Sequence, residues 1–367
     1  MLLFLYLQEL NIFAEMIYDC ILIGSGPVNL IEAMFLSKQG KKVLVLEQSE
    51  YVGGAWGKVP LKEGFPDFQL GCHIWDVEPK AFKFISEFLD MELVKLKPQP
   101  EFVFKGIKLP YDWKNLLFYI RGKLRPKSGM ESGSLNKARI IPAKYIYPAG
   151  GSLQFIDRLL DKVKDFGIEI RTGIKINKLE IGEFTKAISE SEVFVAKEIV
   201  ITSVAQLKSI SKNGKGFTLP EPRLVNYVHG HFLINDVTPT KFSYARLPGN
   251  PLIHRISDET DHVKSHGIDM KGKKLILAAV YPELYYKTNK EELAIMVMEN
   301  LHKRKYINKR ATLSSHHWNV FPTHYIPKDL RPGISKKFSP QVRLLHTTNM
   351  MFSVRDNSER WSQVLLS

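Results

Sequence analysis

The hydrophobic positions near the start of the chain follow two different periods in quick succession. Residues 20–23 form a short apolar run, which is typical of a strand buried on both faces of a parallel sheet. Residues 43–46 form a second run of the same kind. Between the two runs, apolar residues recur at helical spacing and the pattern stops at Gly40: Ile31, Ala33, Met34 and Leu36. The pattern predicts a strand, a turn, a helix and a second strand over residues 18–47.

The remaining chain shows two kinds of pattern that meet near residue 212. Before it, we predict a helix at residues 153–166 and strands at residues 168–171, 174–181, 193–196 and 198–202. After it, residues 227–234 alternate between apolar and polar side chains, as in a half-buried strand of an antiparallel sheet. Further strands are predicted at residues 242–246, 252–256, 274–281 and 342–346, and helices at residues 290–304 and from an N-cap at residues 356–359. We therefore expect two domains, an α/β domain and an α+β domain.

The turn after the first strand has the composition of a phosphate-binding turn. Gly24 permits a tight turn, Gly26 lets the backbone approach a pyrophosphate, and the following helix points its positive end at that phosphate. Glu47 lies 21 residues after Gly26, near the spacing at which an acid accepts hydrogen bonds from a ribose. We predict a dinucleotide site; the alternative is a unit whose glycines only turn a corner. Asn29 replaces the usual third glycine, which implies a wider helix approach or a side chain turned toward the ligand.

Composition narrows the class of protein without selecting a function. The chain has 367 residues, 44% of them hydrophobic and 25% charged, which is ordinary for a globular protein with a large core. A net charge of +14 favours an anionic substrate or an acidic membrane surface. No recognised nucleic-acid motif accompanies that charge, so we expect no nucleic-acid partner. His229 and His231 alternate in a predicted strand, but no third ligand lies at suitable spacing, and no metal site is predicted.

Cysteine usage and the first residues bear on location. Two cysteines, Cys20 and Cys72, both lie in apolar segments, which favours a reducing compartment and buried thiols over a disulfide framework. Residues 1–15 are apolar but lack the features of a signal peptide and are too short to span a bilayer. We interpret them as a short extension or the product of an upstream start codon, with a monotopic anchor as the alternative. The expected location is cytoplasmic.

Three further motifs resemble one superfamily of flavoproteins. They are Tyr-Val-Gly-Gly-Ala-Trp at residues 51–56, Phe-Gln-Leu-Gly-Cys-His at residues 68–73, and Tyr-Pro-Ala-Gly-Gly-Ser-Leu at residues 147–153. Together with the first turn, they resemble the FAD-binding amine oxidase, protoporphyrinogen oxidase and phytoene desaturase superfamily, in the superfamily's order. Tyr51 stands where these proteins usually carry an arginine. The resemblance extends over residues 17–210 and implies a Rossmann-like FAD-binding domain with a central parallel sheet, plus an α+β substrate domain with an antiparallel sheet.

The resemblance also implies how the chain divides between the two domains. The FAD-binding domain would comprise residues 16–78, 146–211 and 339–367, the last ending in a shortened helix. The substrate domain would comprise a segment and loop at residues 79–145 and the main body at residues 212–338.

The superfamily's motifs carry candidate site residues onto this sequence. The implied cofactor-binding residues are Gly24, Gly26, Pro27, Val28, Asn29, Glu47, Gln48, Gly53, Gly54, Ala55, Trp56, Gly71, His73, Ile174 and Asn349. Among them, His73 and Asn349 would face the flavin together with Trp75, and Asn349 stands where the superfamily has a Gly-Asp pair. Implied substrate-binding residues are Tyr244, Arg246, Arg255 and Tyr325.

The function implied by the resemblance is that of an FAD-dependent oxidoreductase moving hydride from an organic substrate to flavin. Such chemistry needs no strong protein base, and we name no catalytic residue. One alternative is a flavoenzyme resembling UDP-galactopyranose mutase, which acts on a nucleotide sugar without net redox change. The other is an FAD-binding protein that has lost catalysis. The expected partner is a small molecule, with an anionic one favoured by the charge, and peripheral membrane contact stays open; oligomeric state is not predicted.

Overall fold

The computed structural model describes most of the chain. The described residues are 17–59, 68–69, 75–76, 78–96, 101–104, 107–109, 145–149, 151–202, 207–217, 223–238, 244–247, 250–265, 268–325, 340–345 and 350–367.

The strands and helices are numbered here in chain order. The strands are β1 (Ile17–Ile23), β2 (Val43–Leu46), β3 (Lys58–Val59), β4 (Phe68–Gln69), β5 (Trp75–Asp76), β6 (Leu93–Leu96), β7 (Glu101–Phe104), β8 (Ile107–Leu109), β9 (Tyr145–Pro148), β10 (Glu169–Arg171), β11 (Lys178–Ile181), β12 (Thr185–Ile188), β13 (Val193–Ile201), β14 (Ser209–Lys212), β15 (Lys215–Phe217), β16 (Arg223–Asn235), β17 (Tyr244–Arg246), β18 (Ile253–Asp258), β19 (Lys273–Val280), β20 (Thr312–Tyr325) and β21 (Val342–Leu344). The helices are α1 (Pro27–Lys38), α2 (Pro79–Phe88), α3 (Gly151–Asp165), α4 (Thr260–Ser265), α5 (Pro282–Lys287), α6 (Lys290–Lys303) and α7 (Met350–Leu365).

The first sheet has a parallel core extended by antiparallel strands. Its order is β10-β2-β1-β13-β12-β11-β14-β15, and β21 also pairs with β13. Strands β10, β2, β1, β13 and β21 run parallel, whereas β12 is antiparallel to both of its neighbours. This is the Rossmann-like arrangement that the sequence predicted, and that part of the fold prediction is confirmed.

The strands of the parallel core are buried on both faces. Along β1, Cys20 and Leu22 pack against helices α1, α2, α3 and α7, whereas Ile21 packs against the strands β11, β12 and β14. Both runs that the sequence marked as buried strands, residues 20–23 and 43–46, therefore lie inside the core. Cys20 is fully buried, and burial raises the pKa of its thiol well above the usual range.

A second sheet carries the later half of the chain. Its order is β20-β16-β19-β18-β17-β7-β8, and every pairing is antiparallel except that of β17 with β7. Helix α6 packs against one face through residues such as Leu293 and Leu301, which meet Phe232 and Ile276 of the sheet. The expected antiparallel sheet is confirmed. The domain boundaries stay a prediction, although β7 and β8, at residues 101–109, join this second sheet.

A buried carboxylate fastens the last helix to the first one. Glu32 of α1 is fully buried and accepts hydrogen bonds from the guanidinium of Arg360 and from Nε1 of Trp361 at 2.7 Å. The guanidinium of Arg343 in β21 lies 2.8 Å from the same carboxylate. Burial alone would raise the pKa of Glu32, but the Arg360 hydrogen bond and the Arg343 charge outweigh it and hold the pKa below its usual value.

Three local predictions were wrong in their bounds. The strand expected at residues 174–181 begins only at Lys178, and the two strands expected at residues 193–202 form the single strand β13. The last helix begins at Met350, not at residues 356–359. Its apolar side already starts with Met351 and Val354, which pack into the core ahead of the acidic residues that suggested an N-cap.

No helix within the described ranges is long and apolar enough to cross a membrane.

Candidate functional site

Two glycine turns meet where β1 ends. Gly24 and Gly53 have φ values of +94° and +111°, in the left-handed region that favours glycine. A Cβ on Gly53 would lie 2.9 Å from the Cα of Gly57, so close packing also requires glycine there. A Cβ on Gly54 would lie 3.6 Å from the Cα of Gly26, which shows how near the two turns approach each other.

Gly26 differs from these glycines because no contact with the described residues requires a glycine there. Its φ of −64° and ψ of 156° are open to any residue. A Cβ added to it would meet no heavy atom of the described part of the chain within 4 Å. The backbone at Gly26 therefore borders open space, as expected if a ligand is to approach it closely.

The two turns and the acid at the end of β2 form one hydrogen-bonded unit. Oε2 of Glu47 accepts hydrogen bonds from the N–H of Ser25 at 2.8 Å and from its hydroxyl at 2.6 Å. Oε1 accepts one from the N–H of Ser49 at 2.9 Å. The Ser25 hydroxyl in turn accepts a hydrogen bond from the N–H of Gly53 at 3.0 Å. Ser25 is fully buried and Glu47 is 5% exposed, so the unit is shielded from water.

Helix α1 presents an uncapped N-terminus beside Gly26. Pro27 occupies the first turn, no side chain caps the helix, and no acidic residue lies in that turn. The first N–H groups of a helix and its dipole create a partial positive charge. Because neither a side-chain cap nor an acidic residue of the first turn neutralises this charge among the described residues, the end of the helix suits an anion such as a phosphate.

Asn29 points back to its own strand. Its Nδ2 donates hydrogen bonds to the carbonyl oxygens of Ile23 at 2.9 Å and Gly24 at 2.8 Å, and the residue is fully buried. Within the described residues, Oδ1 of Asn29 has no hydrogen-bond partner. These contacts hold the Nδ2 end of the side chain against its own strand. Asn29 thereby fixes the carbonyl groups that end β1.

The other predicted cofactor residues fall into three groups. Pro27 and Val28 begin α1, Gly54 belongs to the second turn, and Gln48 is the exposed residue after Glu47. Trp56 packs edge-on against Phe155 with ring centroids 5.5 Å apart. Ile174 lies beside the acid, but its N–H already donates to the carbonyl oxygen of Glu47 at 2.8 Å. Predicted residues that fall outside the described backbone are Gly71, His73 and Asn349; for Ala55 and Trp75 only the backbone is described.

The predicted substrate residues lie on the second sheet. The antiparallel ladder pairs Arg246 of β17 with Arg255 of β18, and Tyr244 with Ser257. Tyr325 lies at the end of β20, on the opposite edge of the sheet core. The structure therefore brings the positions of Tyr244, Arg246 and Arg255 together and leaves Tyr325 apart from them.

The face of the second sheet opposite α6 carries buried polar side chains. The sequence analysis predicted only some of them. The Arg255 guanidinium donates a hydrogen bond to Nε2 of His229, with Nη2 at 2.8 Å. Asn319 links two other rings, since Nε2 of His231 lies 3.2 Å from its Nδ2 and Nε2 of His317 lies 2.9 Å from its Oδ1. The alternation in β16 indicated both its histidines, whereas nothing in the sequence indicated Asn319.

Burial keeps the ring of His231, at the centre of this face, uncharged. His231 is fully buried, and burial, reinforced by the nearby His317 ring, lowers its pKa to about 4 although Glu259 acts in the opposite sense. The ring is therefore uncharged at neutral pH and accepts the Asn319 amide proton. No group of three or more potential metal ligands occurs in the parts of the chain that the structure describes.

One family model and one curated protein match short parts of the chain. Residues 22–88 match the family model of the NAD(P)-binding Rossmann-like domain. A segment of 34 residues, 9% of this chain, is 59% identical to the flavin-containing monooxygenase FMO GS-OX-like 9 of Arabidopsis thaliana. That segment spans only 7% of the length of the Arabidopsis protein.

Solved structures match the chain over almost its whole length. A reduced UDP-galactopyranose mutase superposes with a TM-score of 0.66 at 14% identity, covering 95% of this chain and 94% of that one. Cyclohexylamine oxidase from Brevibacterium oxydans gives 0.64 at 15% identity, with 95% and 99% coverage. Putrescine oxidase with bound putrescine gives 0.64 at 11% identity, with the same coverage.

These likenesses define the class of fold. The chain has a Rossmann-like domain at residues 22–88 and shares its overall fold with these solved structures. The resemblance drawn from the glycine motifs is thereby confirmed at the level of fold, since identities of 11–15% establish no more.

Proposed function

We propose that this chain is an FAD-dependent oxidoreductase that takes hydride from an organic small molecule. The single observation that carries the proposal is the open space over Gly26, at the meeting point of two glycine turns and an uncapped helix. A glycine that neither its φ nor any neighbouring atom requires is explained by a ligand that lies against its backbone.

The residues present fit the two ends of such a cofactor. The N-terminus of α1 would hold the pyrophosphate through its N–H groups and dipole. A carboxylate has about four acceptor positions, and the Glu47 carboxylate uses three of them on Ser25 and Ser49. The remaining position, on Oε1, is available to a ribose hydroxyl. FAD, when bound, supplies the hydride-accepting ring, and the chain's part is to bind and orient both reactants.

The test compares two glycines that are alike within the protein and differ in their surroundings. Gly26 and Gly216 both have open space around a Cβ and backbone angles open to any residue. Gly216 lies in β15, at the far edge of the first sheet. We expect Gly26→Val to fold normally by circular dichroism and to purify without FAD, because the new side chain would occupy the space of the pyrophosphate. Gly216→Val should retain FAD, and equal FAD content in the two variants would refute the proposal.

A second candidate is a flavoenzyme that acts on a UDP-sugar without net redox change. The pairing of Arg246 with Arg255 favours it, because adjacent arginines suit a doubly charged diphosphate. It predicts that a UDP-sugar binds more tightly after flavin reduction. UDP-sugar binding that does not depend on the flavin's redox state would exclude this second candidate and leave the oxidoreductase as the proposed function.

The proposal includes a small-molecule substrate and a cytoplasmic location. The location is supported by the two apolar cysteine positions in a chain of 367 residues.

A further inference from the structure

One row of side-chain positions crosses the polar face of the second sheet. The registers of four neighbouring ladders align Arg246, Arg255, Ala279, His229 and Asn319. The neighbouring row, two residues along each strand, contains Ser257 and His231. Since side chains alternate between the faces of a sheet, these positions share the face opposite α6.

Arg255 reaches across this row to His229. Strand β19 lies between their strands, so the two backbones are about 10 Å apart. The intervening residue is Ala279, whose side chain stops at Cβ and leaves room for the long arginine. Because Arg255 donates to Nε2 of His229, the ring must keep a lone pair there and remain neutral. His229 is 3% exposed and therefore holds the guanidinium in a fixed position.

The positive charge of Arg255 has no acidic counterpart among the described residues. No carboxylate lies within 4 Å of its guanidinium, whereas the arginines at positions 171, 343, 355 and 360 all have one. Glu259, directly after β18, acts on His231, where its negative charge raises the pKa of the ring. A partly exposed guanidinium held only by a neutral ring keeps its charge for another anion.

Two further donors beside this charge lack acceptors. Nε of Arg255 and Oγ of Ser257 are buried and have no hydrogen-bond partner within the described residues. Ser257 is 1% exposed and lies two residues from Arg255, on the same face of β18. Buried donors without acceptors are uncommon in folded proteins, and two of them next to an unpaired cation indicate an oxygen-rich ligand.

The strand also departs from regular geometry at this position. The ladder between β18 and β19 shifts register between Ile253 and Arg255. Such bulges re-aim side chains and occur preferentially beside active sites. The opposite position, Arg246, adds a second arginine directly across the ladder from Arg255.

We propose that this face binds an anionic oxygen group of the substrate, a carboxylate or a phosphate, with Arg255 as the contacting cation and His229 as its positioning residue. That the anionic group belongs to a substrate rests on the proposed oxidoreductase function. The binding of an anion here does not, and it can be measured separately.

The experiment titrates FAD-saturated protein with malonate and with pyrophosphate by isothermal calorimetry at low ionic strength. Saturation with FAD keeps pyrophosphate away from the helix α1 N-terminus, and the Gly26→Val variant serves the same purpose if FAD is not retained. Binding of one probe over the other identifies the carboxylate or the phosphate as the preferred group. Failure to bind either probe overturns the inference even if FAD is present.

Matched variants locate the site. Arg255→Gln should weaken binding of the preferred probe at least about ten-fold, since a charge-assisted pair is lost. Arg310→Gln, which removes an equal charge from an exposed turn of the same half of the chain, should leave it unchanged. Arg255→Lys retains the charge without the planar fork and should fall between wild type and Arg255→Gln. Equal affinity in Arg255→Gln and wild type would overturn the inference.

Discussion

Replacing Ser25 with alanine tests whether the two glycine turns and the acid act as a unit. The Ser25 hydroxyl donates to Glu47 at 2.6 Å and accepts from the N–H of Gly53 at 3.0 Å. The first bond is charge-assisted, and losing such a bond costs about 1.5–3 kcal/mol. Losing the second bond leaves the buried N–H of Gly53 without an acceptor, which costs about 1–3 kcal/mol. Removing the hydroxyl also removes its own burial cost, so the expected loss of unfolding free energy is about 2–4 kcal/mol.

A matched control is available in the helix that follows. The Ser37 hydroxyl is only partly buried and donates one hydrogen bond, to the carbonyl oxygen of Phe166 at 3.3 Å. Ser37→Ala should therefore cost about 0.5–1 kcal/mol. Urea denaturation followed by circular dichroism measures both variants without cofactor. If Ser25→Ala destabilises the protein no more than Ser37→Ala does, the bridging role assigned to Ser25 is refuted.

Three other predictions concern parts of the structure outside the open space over Gly26. Gly53→Ala should destabilise the protein by about 2 kcal/mol or more, since its φ of +111° and its contact with Gly57 both exclude a Cβ. Glu32→Gln should cost about 1–3 kcal/mol, because it removes the buried charge that Arg343 and Arg360 share. The loss is limited because Arg343 keeps its ion pair with Glu198. The unfolded His231 ring takes up a proton near pH 6.5 and the folded ring only near pH 4, so stability should fall by about 3 kcal/mol as pH decreases through that interval. Denaturation midpoints measure all three.

A specific result would contradict each of these three predictions. A Gly53→Ala protein as stable as wild type would mean that the second turn tolerates a side chain. An unchanged melting temperature in Glu32→Gln would show that α7 is held by its apolar contacts alone. For the histidine, the comparison is with His231→Gln, which cannot titrate; an equal loss of stability in wild type and variant between pH 6.5 and pH 4 would assign the effect to other groups.

The predictions that held depend on local sequence. A short apolar run bounded by a glycine turn is typical of a buried strand, and residues 20–23 do lie in β1. The alternation around His229 likewise showed which side chains share a face. The residues of each such pattern lie close together along the chain, so the pattern can be recognised in a single sequence.

The features that the sequence did not reveal depend on contacts between distant segments. Ser25 and Gly53 are hydrogen-bonded across 28 residues, and no periodic pattern marks such a pair. The reach of Arg255 over Ala279 to His229 follows from strand register, which a single sequence does not specify. Trp56 belongs to a motif that the sequence analysis assigned to cofactor binding, yet its ring packs against Phe155. Burial of an apolar ring competes with a role in binding.

The absorption spectrum of the purified protein, followed by chromatography of the released cofactor, tests the central claim most directly. The open space over Gly26, the uncapped end of α1 and the Glu47 carboxylate together predict a flavin spectrum and the release of FAD. A colourless protein that FAD cannot reconstitute would contradict the account.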